Sequence, residues 1–267
     1  MLTIPVGRVM EAAAVIAVIT LISLRLKFLD RKGLAASVIV GFLVYAFGGR
    51  IYFAALFLFF IVSSVATVYR VRRVRLDYVE KSWERGWRNV AANGLTASLT
   101  AVISSFYASC NPMVLASYLG AIGTSFADTL ATEIGLLSPR NPRLITSMKG
   151  TQPGTPGAVS TYGYMGSILA LTALTPFPIL CGRQDLIPIL FISGLIGVTA
   201  DSLLGATIQA QYRCNSCGKI VETQTHCGVG TEHVKGLKII DTHMVNLVST
   251  VIGALAAALL TLLLQKI

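Results

Sequence analysis

The residues with most chemical potential in this chain are acids and amides set inside or at the edges of apolar runs. Asp128 and Glu133 lie in Ser-Phe-Ala-Asp-Thr-Leu-Ala-Thr-Glu (125–133), and Asp201 and Gln209 in Thr-Ala-Asp-Ser-Leu-Leu-Gly-Ala-Thr-Ile-Gln (199–209). Ionised groups inside a bilayer are costly and mark metal, proton or substrate sites by default. Asn89 and Asn93 are spaced i, i+4 and share a helix face. Asn246 opens the last apolar run, just after Asp241 and His243. Singly, each would read as a cap or an interhelical hydrogen bond. Gathered at one end of several spans, they read as a site. The tetrapeptides Ala-Asp-Thr-Leu (127–130) and Ala-Asp-Ser-Leu (200–203) bring Thr129 and Ser202 beside the two aspartates. They look like two copies of one half-site, an internal duplication, against chance recurrence in an apolar helical context.

Two loops add to this. Residues 139–160 combine Arg140, Arg143 and Lys149 with Gly150, Gly154 and Gly157 and the hydroxyls of Thr151, Thr155 and Ser160, and lead directly into a helix. Glycines let backbone N–H groups approach an anion, and a helix N-terminus adds partial positive charge. With carboxylates able to hold magnesium, this suits a nucleoside triphosphate, although the loop is neither a Walker A sequence nor Gly-x-Gly-x-x-Gly. The bland reading is a Pro/Gly turn between two spans. The second loop, within 211–240, carries Cys214-x-x-Cys217, then His226-Cys227 and His233. That pattern suits a structural zinc held by Cys214, Cys217 and Cys227 with His226 or His233 as fourth ligand. A redox pair or free thiols are the alternatives. Cys110 and Cys181 are read as small apolar residues.

The elements that must position these residues are membrane spans. The chain has 267 residues, 54% hydrophobic and only 13% charged, with mean hydropathy +0.71. That composition excludes a disordered tail, a fibrous protein and a small disulfide scaffold, and disfavours a nucleic-acid binder despite the net charge of +10. Apolar stretches fall near 9–24, 34–49, 51–69, 93–109, 113–136, 158–180, 187–209 and 244–264. A crossing helix needs roughly 20 residues, so the second and fourth are short enough for tilt or partial re-entry. No period-2 alternation supports a β-barrel. The expectation is an all-α polytopic bundle of about 7–8 spans forming one domain over 1–267, its first stretch a mature span rather than a signal peptide.

Charge orients the bundle. Arg25, Lys27, Arg31 and Lys32 fill the first gap, and Arg70, Arg72, Arg73, Arg75, Lys81, Arg85 and Arg88 the third. Arg140, Arg143 and Lys149 fill the fifth, and Arg213, Lys219, Lys235 and Lys238 the seventh. Only Arg8, Arg50, Arg183 and Lys266 fall elsewhere. The positive-inside rule then places the odd loops in the cytoplasm and both termini outside. The basic loop 70–88 also reads as a contact for anionic headgroups. The short loops favour a cell membrane over an organelle.

Taken together, these motifs resemble one integral membrane family. The likeness rests on Ala-Asp-Thr-Leu-Ala-Thr-Glu-Ile-Gly (127–135), Gly-Thr-Pro-Gly-Ala-Val-Ser (154–160), the 200–209 segment, Arg-Cys-Asn-Ser-Cys-Gly-Lys (213–219), the region of Asn246, and Gly-Trp-Arg-Asn-Val-Ala-Ala-Asn-Gly (86–94). The family is the one that includes the plant phytyl-phosphate kinase of vitamin E synthesis, and it is more distantly similar to phytol and dolichol kinases. The resemblance implies a prenyl monophosphate kinase that makes the diphosphate from a nucleoside triphosphate, CTP foremost, with magnesium. Asp128, Glu133 and Asp201 would then hold magnesium, with Lys149, Arg143 and Arg88 on the phosphates. Asn89, Asn93 and Asn246 would orient phosphate or metal-bound water, and Thr129, Ser202 and Gln209 would complete the nucleotide site. His243 departs from the family pattern, which makes Asp241 and Asn246 the safer correspondences. Competing readings are a secondary transporter with repeated half-sites and a CDP-lipid-forming transferase. Without the resemblance, the residues support a cytoplasm-facing, metal-dependent enzyme acting on an anionic lipid, or a transporter.

Overall fold

A computed structural model describes residues 6–74 and 84–265. The basic residues Arg75, Lys81 and Lys266 lie outside this range. Long helices run α1 (Val6–Leu26), α2 (Arg31–Leu43), α3 (Arg50–Arg73), α4 (Trp87–Ser104), α5 (Pro112–Gly135), α6 (Thr161–Leu174), short α7 (Pro176–Leu180), α8 (Ile187–Thr207) and α9 (Thr242–Leu264). Among the described residues, seven helical segments are long and apolar enough to cross a membrane. The short second stretch reaches span length because one turn of π-helix, Val44–Gly48, continues α2.

Helix α4 is the exception to the apolar rule, and its burial pattern says why. Asn93, Thr96, Ser98 and Thr100 are buried, while Leu95, Leu99 and Ile103 are exposed at i, i+4 and i+8. One stripe meets lipid; the other meets neighbouring helices with small polar side chains. Thr96 and Thr250 of α9 share a hydroxyl–hydroxyl bond of 2.8 Å. Such short side chains allow close helix approach where lipid offers no hydrophobic drive to association.

Helix α5 is the axis of the bundle and packs on α3, α4, α6, α8 and α9. Its glycines make this close approach achievable. A Cβ at Gly120 would stand 2.4 Å from the Gly253 carbonyl oxygen of α9. Gly197 of α8 and Gly253 both close on Thr124, where a Cβ at either would come within 2.1 Å of the hydroxyl. Asn111 caps the start of α5, and Asp30, Ser160 and Asp241 cap α2, α6 and α9, as expected of side chains that accept orphan N–H groups.

Among the described residues, strands occur only in two loops. A two-residue ladder, β1 (Arg143–Leu144) with β2 (Ala158–Val159), folds the loop between α5 and α6. Between α8 and α9, β3 (Gln211–Cys214), β4 (Ile220–Val221), β5 (Thr225–His226) and β6 (Val229–Lys235) form a sheet ordered β4-β3-β6-β5. The all-α expectation holds for the bundle, while this loop contains a small antiparallel sheet.

One sequence reading is corrected. Cys110 and Cys181 are not merely small apolar residues: they form a disulfide tying the start of α5 to the end of α7, at the end of the bundle opposite the basic loops. The two lie 71 residues apart, so only the tertiary fold brings them together. Peptide mapping without reductant is expected to recover a Cys110–Cys181 cross-linked peptide, and the Cys110→Ser variant to unfold at a lower temperature. Two alkylatable thiols at these positions in the native protein would contradict the pairing.

Candidate functional site

The polar residues singled out in the sequence collect at the basic-loop end of α4, α5, α8 and α9. Asp128 is seven residues from the end of α5 and Asp201 six from the end of α8, about 10 Å along each helix at ~1.5 Å per residue. Both are half-buried. Their charges interact with one another, and Asp128 also feels Glu222, in the sheet-bearing loop. Ser249 of α9 donates to Asp201 Oδ2 at 3.0 Å. Neither aspartate has a basic partner among the described residues. Two like charges held together in a partly dry place without a counter-charge fit the oxygen-ligand chemistry of a divalent cation.

Glu133 belongs elsewhere. Five residues separate it from Asp128, which turns it about 140° around the helix, onto the face that meets α3. There Arg70 Nε donates to Glu133 Oε2 at 2.8 Å and Thr67 Oγ1 to Oε1 at 2.7 Å. Arg70 and Glu133 are 7% and 6% exposed. Both carboxylate oxygens are engaged, so Glu133 clamps α5 to α3 and does not join the aspartate pair. The structure departs here from the magnesium role implied for this residue. In the sequence Arg70 carried only a topology signal and, within loop 70–88, a headgroup-contact reading; its burial against Glu133 takes it out of the latter.

Arg88 is similarly engaged, ion-paired with Asp241, whose other oxygen caps α9 at Met244 N at 3.0 Å. Asn93 donates from Nδ2 to the Asn89 carbonyl at 2.9 Å, and Ser125 of α5 donates to the Asn93 carbonyl at 3.0 Å. Ser125 in turn stands one turn before Thr129, whose hydroxyl bonds back to Ser125 O at 2.8 Å. The backbone of α4 at Asn93 is thereby joined to α5 three residues before Asp128. Asn246 sits half-buried one turn from Ser249 on α9, while Ser202 is half-buried beside Asp201. Gln209 is buried with an unpartnered Nε2 among the described residues.

The glycine-rich loop is ordered by its own bonds and by α8. Ile145 N bonds the Gly157 carbonyl at 3.0 Å, Thr151 N bonds Pro142 O at 2.9 Å, and Thr151 and Thr155 share a hydroxyl bond of 3.1 Å. Gly157 is required sterically: it has φ +76, and a Cβ there would lie 2.6 Å from the Ser202 carbonyl oxygen. The loop therefore rests on α8 next to Asp201. Gly154 also has positive φ, whereas Gly150 faces open space. Ser160 caps α6 through Gly163 N at 3.0 Å, so this hydroxyl is already committed. Arg143 and Lys149 are exposed on the loop surface. Across an open cleft, Asn141, Gly150, Thr151, Gln152 and Thr155 face Gln211, Gly218, Lys219 and Ile220 of the sheet-bearing loop.

In that loop Cys214, Cys217, His226 and Cys227 point their ligand atoms together, all within 4.8 Å of one another. His233 is not among them; it packs edge-on against Tyr212. The Cys214 thiol is pulled down to about 6, first by the Cys217 backbone N–H and then by contacts including His226.

A second cavity runs laterally between α1, α2, α3 and α4. Its walls are apolar, including Ile16, Leu34, Val38, Phe53, Phe57 and Phe60, and its basic-loop end holds Arg85, Asn89 and Asn93. Segment 84–86 is pinned there by Arg85 N to Phe28 O at 3.0 Å. Sequence reasoning did not single out Ser125, Ser249, Arg85 or Glu222. Ser125 and Ser249 left a local trace, each at i, i+3 spacing from a singled-out residue, Asp128 and Asn246.

The fold and this site define a polytopic helical membrane protein with its polar residues gathered at one end. Integral membrane protein DUF92 matches residues 14–254, and the chain belongs to this family. It is 27% identical over 254 residues to an uncharacterized membrane protein of Methanocaldococcus jannaschii, covering 95% of this chain and 94% of that one. It is 30% identical to Protein PGR of Arabidopsis thaliana, covering 92% and 94% of the two chains. Protein VTE6, chloroplastic, of the same plant is 21% identical, over 87% of this chain and 65% of that one. No solved structure matches.

Proposed function

We propose that this protein is a membrane-embedded prenyl monophosphate kinase that makes the diphosphate at its cytoplasmic face from a nucleoside triphosphate, with CTP as expected donor and magnesium as cofactor. The observation that carries the reading is a juxtaposition. An apolar lateral groove ends in Arg85, Asn89 and Asn93, and Ser125, three residues before Asp128 on α5, donates to the Asn93 carbonyl, while the Asn93 amide bonds back to Asn89 O. A prenyl tail suits the groove, and its phosphate suits the guanidinium and amide donors at its head. The family resemblance of the 86–94, 127–135 and 200–209 motifs supports the acceptor class, and Protein VTE6 is among the relatives.

Asp128 and Asp201 fit magnesium, which when bound would screen the donor phosphates. The acceptor's phosphate oxygen attacks the γ-phosphorus as the bond to the β-bridging oxygen breaks, releasing nucleoside diphosphate. The acceptor is already anionic at neutral pH, so no general base is required. The cleft between the glycine-rich loop and the sheet-bearing loop is the proposed place for the donor, with Lys219, Thr151, Thr155 and the carboxamides of Gln152 and Gln211 lining it. The glycine-rich loop that rests on α8 beside Ser202, and the basic loops at the same end, favour an enzyme over a transporter. Orientation is supported by chemistry: free thiols at the basic-loop end and a disulfide at the other agree with a reducing cytoplasm and an oxidising exterior.

Released nucleotide tests the reaction type. Nucleoside diphosphate identifies the kinase; pyrophosphate with a nucleotidyl-lipid would replace it with the transferase. The groove has its own test. Ser37→Phe narrows the apolar wall and is expected to raise KM for a prenyl phosphate by about tenfold, a steric loss near 1.4 kcal/mol, while leaving KM for nucleotide unchanged. A prenyl phosphate KM unchanged from wild type in the folded variant would remove the groove from the acceptor site.

A further inference from the structure

We propose that Cys214, Cys217, His226 and Cys227 hold one zinc ion that fixes the sheet-bearing loop as the far wall of the donor cleft. The metal assignment is independent of the phosphoryl-transfer reading. Three features of the backbone converge on it. Gly218 has φ +71 and its N–H bonds Cys214 O at 2.9 Å, while Cys214 N bonds Lys219 O at 2.9 Å. That tight knuckle turns both thiols of the Cys-x-x-Cys to one side. Opposite it, His226 ends β5, and Cys227 and Gly228 take the left-handed region at φ 52 and 75. The left-handed turn lets two adjacent side chains face one point, an arrangement that extended backbone would forbid. The β6 strand pairs with both β3 and β5 and so brings the knuckle and the turn together.

The resulting spacing suits the metal. His226 Nδ1 lies 3.5 Å from Cys217 Sγ and 3.3 Å from Cys227 Sγ. Tetrahedral zinc with Zn–S of about 2.3 Å and Zn–N of about 2.0 Å places S–N pairs about 3.5 Å and S–S pairs about 3.8 Å apart, close to these separations. Four protein ligands leave no open coordination position, so the ion is structural. Its mechanical consequence follows from position. Gly218 and Lys219, inside and next to the knuckle, line the cleft facing Gly150, Thr151 and Thr155. The strands are only 2–7 residues long, too short to hold such a loop firmly on hydrogen bonds alone; the metal supplies the missing constraint.

The full chain, purified in detergent without chelator, is expected to carry about one zinc per chain by mass spectrometry of metals. Cobalt exchanged into it should give the visible absorption of tetrahedral thiolate-bound cobalt. Cys217→Ala should lose zinc, whereas His226→Cys should retain it as a four-thiolate site. Stripping zinc should raise protease cleavage within 211–235 by roughly an order of magnitude, as local opening becomes easier, with the helices left intact. Substoichiometric zinc in the wild type together with three freely alkylated thiols, or a Cys214–Cys217 disulfide in mapped peptides, would overturn the assignment.

Discussion

Asp128→Asn and Asp201→Asn are each expected to lower kcat for prenyl phosphate phosphorylation by at least about a thousandfold, the equivalent of ~4 kcal/mol of lost charge stabilisation. Asparagine keeps the shape and, at position 201, an oxygen that still accepts from Ser249. It removes the charge. The two carboxylates repel each other in the absence of a cation, since neither has a basic partner among the described residues. Neutralising one should therefore leave the protein folded and, without magnesium, no less stable than wild type. A second readout follows: magnesium should raise the unfolding temperature of the wild type and lose that effect in either variant. Normal turnover in both variants would remove the aspartates from the chemistry. Lost turnover with magnesium stabilisation intact would make them residues that act on something other than the metal.

Arg70→Met is expected to destabilise the protein by about 3–5 kcal/mol, because it leaves the buried Glu133 carboxylate without its charge partner. The double variant Arg70→Met/Glu133→Gln should recover most of that loss, since no uncompensated charge remains and the amide still accepts from Thr67. Denaturation in detergent measures both. The pair separates two roles that the sequence placed together. If Glu133 held magnesium, Glu133→Gln would behave like Asp128→Asn; as a clamp between α3 and α5, Glu133→Gln in the double variant should retain substantial turnover. Wild-type stability in Arg70→Met alone would contradict the clamp.

What the sequence could and could not disclose divides along physical lines. The spans and the two aspartates within them are local signals: run length, and an acid where lipid forbids one. The Cys-x-x-Cys and the His-Cys pair are also local, and the structure gathers those four while setting His233 against Tyr212. Glu133 looked like a third acid of one site because it shares a helix with Asp128. Its partner is 63 residues away on α3, and nothing within α5 reports it. The Cys110–Cys181 bond is hidden for the same reason. The glycine-rich loop shows a different limit. Composition pointed to an anion cradle, but Gly157 is glycine because α8 leaves no room for a Cβ. The apolar groove is a product of tertiary packing: only the packing of α1 to α4 shows that Arg85 and the two asparagines stand at its head.

Whether this bundle adds a phosphate to a prenyl monophosphate is decided by one assay. Detergent-purified protein is incubated with geranylgeranyl phosphate, magnesium and each of the four nucleoside triphosphates in turn, and the lipid is weighed by mass spectrometry. A prenyl phosphate kinase yields a lipid heavier by one phosphate, formed best with CTP and matched by nucleoside diphosphate. Folded protein that leaves prenyl phosphates and prenols unchanged with all four donors would contradict that activity and return the weight of evidence to a transporter.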